Sequence, residues 1–196
     1  MIQYDGFHDL AMKEDLSTRH TKEDEESWIV HELVENLPQA KSSDFSFRNR
    51  SSRKSITTNF ELDIPEYADV TGKRIFLQPA VFQKDSSPLF TEDQRLGDIL
   101  FPYPWKEIDD ISIQIPEGFS LEEGSAPQPI KLGALGMYEV KLGLTKSKVV
   151  KYKRTFSMNL RFAEKKFYDS IKGALTIVNQ LDQHALTFKR QETEAN

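Results

Sequence analysis

Ile111-Ser112-Ile113-Gln114-Ile115, closed by Pro116-Glu117-Gly118, is the stretch on which the fold turns. Successive side chains of an extended chain point to opposite faces, so isoleucine at every second position makes one face apolar and leaves the other to serine and glutamine. The Pro-Glu-Gly sequence supplies a turn. The pattern predicts a half-buried strand of an antiparallel sheet.

The same period recurs on both sides. Tyr138, Val140, Leu142 and Leu144 alternate, Thr145 to Lys148 turn the chain, and Val150, Tyr152, Phe156, Met158 and Leu160 continue on the return, predicting a long hairpin with one buried face. Upstream, Phe45 and Phe47 followed by Ile56, Thr58, Phe60, Leu62 and Ile64 predict a second antiparallel pair. The polar run from Arg48 to Lys54 would join its strands, and Pro65 would end it. Short strands are expected at Arg74 to Gln78 and near Ile99. Pro79 to Trp105 holds four prolines and reads as an irregular segment that packs down through its aromatic rings.

Two segments change to a helical period. Thr21 with Asp24 forms a capping pair, Glu23 to Glu26 complement the positive helix end, and Trp28, Ile29, Leu33, Val34 and Leu37 share a side until Pro38 stops the helix. From about Ala163, Phe167, Tyr168, Ile171, Ala174, Leu175, Val178 and Leu181 form a second apolar stripe, and Ala185 to Lys189 read as a last strand. The first twenty residues read as a leading strand or loop.

Together these elements predict a mainly β, α+β fold: an antiparallel β-sandwich with an N-terminal helix and an amphipathic helix before the last strand. The expected organisation is an N-terminal segment over 1–42 that packs on or leads into the main domain, a sandwich over 43–190, and a frayed tail over 191–196.

Composition bounds the function. The chain has 196 residues, of which 38% are apolar, and thirteen Phe, six Tyr and two Trp can fill a core. A net charge of −5 argues against nucleic acid as a partner, since phosphate backbones are gripped by Lys and Arg. No stretch has the length and apolarity to span a bilayer, and Met1 to Leu10 lacks the pattern of an export signal. The absence of cysteine excludes disulfides, thiolate metal sites and a cysteine nucleophile.

No catalytic constellation is expected. Gly118-Phe119-Ser120-Leu121-Glu122 approaches a nucleophile elbow but lacks the second glycine and reads as a strand start. His8, His20, His31 and His184 lack metal-ligand spacing, and His31 with Glu35 reads as a solvated helix face, so neither metal nor cofactor is expected. Asp109-Asp110 and Glu122-Glu123 put adjacent carboxylates on opposite strand faces and read as strand-edge charges. Gly133-Ala134-Leu135-Gly136 does not complete a phosphate loop. Arg48, Arg50, Arg53 and Lys54 offer a grip for an anionic partner, with a solvated basic loop as the plainer reading, and Asn49-Arg50-Ser51 reads as a chance glycosylation triplet.

Phe101-Pro102-Tyr103-Pro104-Trp105, followed by Ile111 to Phe119, resembles the C-terminal accessory domain of bacterial transglutaminase-like proteins. Ile64-Pro65-Glu66-Tyr67-Ala68, Gly72-Lys73-Arg74, Leu77-Gln78-Pro79, Gln94-Arg95 and Phe167-Tyr168-Asp169-Ser170-Ile171-Lys172 carry the likeness over about 43–190. The resemblance implies a β-sandwich accessory domain with a transglutaminase-like core as its partner. It also implies a periplasmic or extracellular setting, and a chain that is either a piece of a longer protein or a stand-alone descendant. The family's catalytic Cys, His and Asp belong to the core, which has no counterpart here. The rival reading is a stand-alone carbohydrate- or peptide-binding module in which proline-flanked Tyr103 and Trp105, with Arg95, form a platform; the plainer alternative is that these rings plug one end of the sandwich.

Overall fold

The computed structural model describes residues 2–5, 21, 23, 24, 27, 31, 37, 39–50 and 55–191. The chain divides into two compact units, Met1–Glu66 and Tyr67–Asn196. The fold class is as the alternating pattern predicts, mainly β with several antiparallel sheets and a helix before the last strand.

In the first unit, strand β1 (Ile2–Asp5) pairs with β3 (Ser55–Asp63), and β3 pairs with β2 (Lys41–Arg50), all antiparallel. The β2–β3 register shifts between Ser43 and Ser46, a bulge that bends an edge strand. The expected connecting residues 51–54 lie outside the described residues. Of the expected N-terminal helix, Glu23, Asp24, Ser27 and His31 are helical, and the Asp24 amide donates to Thr21 Oγ1 at 3.1 Å. The rest of that helix lies outside the described residues, as do most of the first twenty.

The second unit holds two four-stranded sheets. One runs β7 (Trp105–Gln114), β11 (Val149–Met158), β10 (Gly136–Leu144), β9 (Ile130–Lys131); the other runs β4 (Asp69–Thr71), β5 (Arg74–Leu77), β13 (Leu186–Arg190), β8 (Phe119–Glu123). A short ribbon joins β6 (Ile99–Leu100) to β12 (Phe162–Ala163). The expected β10–β11 hairpin is regular from Gly136 opposite Met158 to Leu144 opposite Val150. Thr145 Oγ1 accepts the Val149 amide at 3.1 Å, and Lys148 takes φ 57° to close the turn.

One face of the β7–β11–β10–β9 sheet is buried. At one end Val150 and Leu142 meet Leu186, Phe188, Ile75 and Leu121 of the other sheet. At the other end Tyr138, Val140, Phe156 and Met158 meet Tyr168, Ile171, Leu175 and Val178 of helix α1 (Tyr168–Asp182). The second layer is therefore made jointly by a small sheet and a helix. Each fully buried aliphatic or aromatic side chain contributes about 1.5–3 kcal/mol, which explains why the helix keeps its stripe against the sheet. Phe167, expected on that stripe, falls in a single 3-10 turn (Lys165–Phe167) ahead of the helix and is exposed.

The proline-rich segment packs as expected, through rings and through polar side chains of α1. Phe90 lies 6.2 Å from Phe101 and 5.5 Å from Tyr168, centroid to centroid. Tyr168 donates its hydroxyl to Glu92 O at 2.6 Å, Lys172 reaches the same carbonyl at 2.8 Å, and Asn179 donates to Ser86 O at 2.8 Å. Backbone acceptors in a segment without a ladder are thus satisfied by side chains.

Candidate functional site

The densest polar constellation among the described residues centres on Arg154, where β11 meets the end of α1. Alternation points Tyr152, Arg154, Phe156 and Met158 to the same buried face, so the guanidinium enters the core and is only 2% exposed. Asp182 follows Ile171, Leu175 and Val178 on the buried side of α1 and is 3% exposed. An acid in the last helical turn opposes the helix dipole, so a countercharge must hold it there. Arg154 is that countercharge. Its Nε donates to Asp182 Oδ1 at 2.6 Å and its Nη2 to Oδ2 at 2.7 Å, the bidentate geometry that makes an Arg–carboxylate pair strong.

The third nitrogen, Nη1, donates outward to β7, to Glu107 Oε2 at 2.9 Å and Asp109 Oδ2 at 3.1 Å. Tyr138 donates its hydroxyl to Asp182 Oδ1 at 2.8 Å, and Gln78 Nε2 donates to the Asp182 carbonyl at 2.8 Å. Tyr138 and Phe156 present their rings to the guanidinium at 5.6 and 5.8 Å. One arginine therefore ties together β7, β10, β11 and α1.

Three carboxylates face one guanidinium, and the ionisation follows. Burial works against the Arg154 charge, but the bonds to Asp182 and the fields of Asp182, Glu107 and Asp109 prevail and hold its pKa above the ordinary arginine value. Asp109 is raised as well, which for an acid disfavours the charged form. Burial raises its carboxyl, and Arg154's charge and hydrogen bond do not fully offset it. Burial, then the charge of Asp182, pushes the Tyr138 and Tyr152 phenols well above their ordinary value.

Trp105 lies on β7, half-buried, with its ring 5.5 Å from Phe101 and 6.2 Å from Phe156 and its indole N–H donating to Glu107 Oε1 at 3.0 Å. Tyr103 is half-buried two residues before it. Arg95 is exposed, with its guanidinium 5.5 Å from the Phe90 ring. Through Phe90 and Phe101, Arg95 and Trp105 border the same aromatic group.

The remaining candidates scatter. His31 is exposed, while His8 and His20 lie outside the described residues. His184 follows α1, and its Nε2 is buried with no hydrogen-bond partner. Among the described residues no three His, Cys, Asp or Glu side chains are grouped to hold a metal. Ser120 lies in β8, the expected strand start. Glu122 is bound by Arg74 at 2.5 and 2.9 Å, with Lys189 3.6 Å away, on the exposed side of its sheet. Asp110, on the outer face, has Lys153 3.7 Å away. Asp109 differs from the expected strand-edge charge, because it points inward to a buried arginine. Gly133 takes φ 60° in a 3-10 turn before β10, a turn with no helix behind it to cradle phosphate.

Arg154 and Asp182 had a sequence signal of their own. Each is a charge standing at an apolar position, one of a period-two stripe and one of a helical stripe, with opposite signs.

A family model described as a domain of unknown function with a solved structure, DUF3858, matches residues 73–188. No curated protein matches the chain. A crystal structure from Parabacteroides distasonis ATCC 8503, of a protein provisionally assigned as a protease, is similar at 16% identity and a TM-score of 0.43. The similarity covers 51% of this chain and 19% of that one, so this chain spans about a fifth of that protein's length.

Proposed function

This chain belongs to the DUF3858 family of domains of unknown function, and from that premise we propose that it is a noncatalytic accessory domain that packs against a transglutaminase-like core. The observation that carries the reading is the closure of the Arg154 constellation: each guanidinium nitrogen donates to a carboxylate of the same unit, an arrangement that holds β7, β11 and α1 together. Groups committed to one another in this way serve as a frame, whereas a reaction centre keeps a group poised for a substrate. The thiolate chemistry of a transglutaminase-like protein would belong to the partner, since this chain has no cysteine.

An interaction domain also needs apolar surface to cover. Leu100 and Phe162 sit opposite each other on the β6–β12 ribbon and are 71% and 55% exposed. The test is co-purification and sedimentation of the full chain with a transglutaminase-like protein encoded beside it. A complex weakened by Leu100→Ser and Phe162→Ser, with the unfolding midpoint of the chain unchanged, is the expected result. A chain that stays monomeric and unassociated overturns the reading.

A further inference from the structure

Strand β7 ends its sheet, and within the second unit it is the long, regular edge. It stays in unbroken register with β11 from Trp105 opposite Met158 to Gln114 opposite Val149. The other edges of the two large sheets are blunted: β4 and β9 span only Asp69–Thr71 and Ile130–Lys131, and β8 lies beside a register shift between Thr187 and Phe188. The Ile115 amide donates to Lys148 O at 3.1 Å, which fixes the phase of the ladder. By the period of two, the backbone groups of Ile113, Ile111, Asp109 and Glu107 then turn to β11. Those of Lys106, Ile108, Asp110, Ser112 and Gln114 line the outer edge, which no strand pairs among the described residues.

We infer that this edge accepts an extended, lysine- or arginine-bearing peptide segment as an added strand. Main-chain hydrogen bonds to the outer edge would supply affinity, and side chains alternate toward the two faces. Charge selects the occupant. On the inner face Glu107, 41% exposed, and Asp109 share one Arg154 nitrogen, whereas on the outer face Lys106 of β7, with Lys151 beside Ser112 and Lys153 beside Asp110, leaves no acidic surplus, so it is the inner face that selects. A second copy of β7 paired antiparallel about Ile108 would set Lys106 against Asp110 but Glu107 against Asp109 on the inner face, where like charges opposed across strands are destabilising, so the inner face favours a basic segment of another kind. The inference holds whichever protein supplies the segment, and so goes beyond the accessory reading.

Amide hydrogen exchange on the full chain tests it, with a strand-length peptide alternating lysine and valine as probe. In the chain alone, the Ile108, Asp110 and Ser112 amides should exchange much faster than those of Asp109, Ile111 and Ile113. The lysine peptide should slow the first set, with an effect that fades as salt is added. Its glutamate counterpart, and the lysine peptide N-methylated at alternate residues, should not. Ser112→Pro removes one outer amide donor and no main-chain bond to β11, losing there only the Lys151 Nζ bond to the Ser112 hydroxyl at 2.6 Å, so it should weaken binding roughly fivefold. The N-methylated peptide gives the same information without altering the protein. Outer-edge amides already protected in the chain alone, protection that follows self-association, or equal binding of the glutamate peptide overturns the inference.

Discussion

Arg154 holds Asp182 by both carboxylate oxygens, at 2.6 and 2.7 Å, and so fastens the last turn of α1 to the middle strands of the large sheet. Breaking a buried pair from one side is costlier than replacing it, because the abandoned charge remains in the core. Arg154→Met should therefore cost about 3–5 kcal/mol, since Asp182 loses its countercharge while Glu107 and Asp109 lose a donor. Adding Asp182→Leu should return a measurable part of that loss by removing the stranded carboxylate. Urea unfolding of the single and double variants measures both effects; a double variant less stable than Arg154→Met would contradict the assignment.

Asp109 and Glu122 should give stability differences that slope in opposite directions with pH. Asp109's folded pKa is raised, chiefly by burial, so the folded state holds its proton more tightly than the unfolded chain, where the value is about 3.9. Its contribution to stability falls as pH rises through that window, and Asp109→Asn, which cannot ionise, should gain on the wild type there. Glu122 is lowered, chiefly by its hydrogen bond from Arg74. Its contribution is present above the ordinary glutamate value of about 4.3 and is lost as pH falls through the folded value, so Glu122→Gln should fall behind the wild type as pH rises. Unfolding midpoints from about pH 3 to about pH 7 test both slopes.

The sheet was legible because isoleucine, valine and tyrosine recur at every second position in β7, β10 and β11, and a one-residue slip would turn each stripe to solvent. The helix was legible from Ile171, Leu175 and Val178. The two- and three-residue strands β4, β6, β9 and β12 span too little chain for a period, though Ile99 betrayed β6. The polar centre was harder. Asp109 looks like any solvated acid beside Asp110, and only the pairing of β7 with β11, which sets Asp109 opposite Arg154, turns it inward. Sequence proximity carries no trace of a contact between residues so far apart along the chain.

Trp105 is expected to be structural as well as accessible. Its ring is in contact with Phe101 and Phe156, and its N–H holds Glu107, which in turn accepts from Arg154. Trp105→Ala should cost about 3 kcal/mol through the cavity and the loosened carboxylate. Trp105→Phe should keep most of the packing and lose only the Glu107 bond, worth about 1 kcal/mol. Thermal unfolding of the two variants separates ring from hydrogen bond. Equal losses would mean that the indole N–H matters and the volume does not.

Gly136 begins β10 at φ 144°, a conformation that side chains with a Cβ rarely adopt. A Cβ built there would overlap the Ser157 carbonyl oxygen, which belongs to the neighbouring strand and cannot retreat without breaking the ladder. Gly136→Ala thus combines backbone strain with a clash, and the loss should exceed the ~1 kcal/mol of an ordinary glycine change. Gly143 offers the control. It lies in the same strand, and a Cβ there meets nothing within 4 Å, so Gly143→Ala should leave the midpoint unchanged or slightly higher. Equal destabilisation by both substitutions would show that the close approach of Gly136 to Ser157 is not what governs the start of the hairpin.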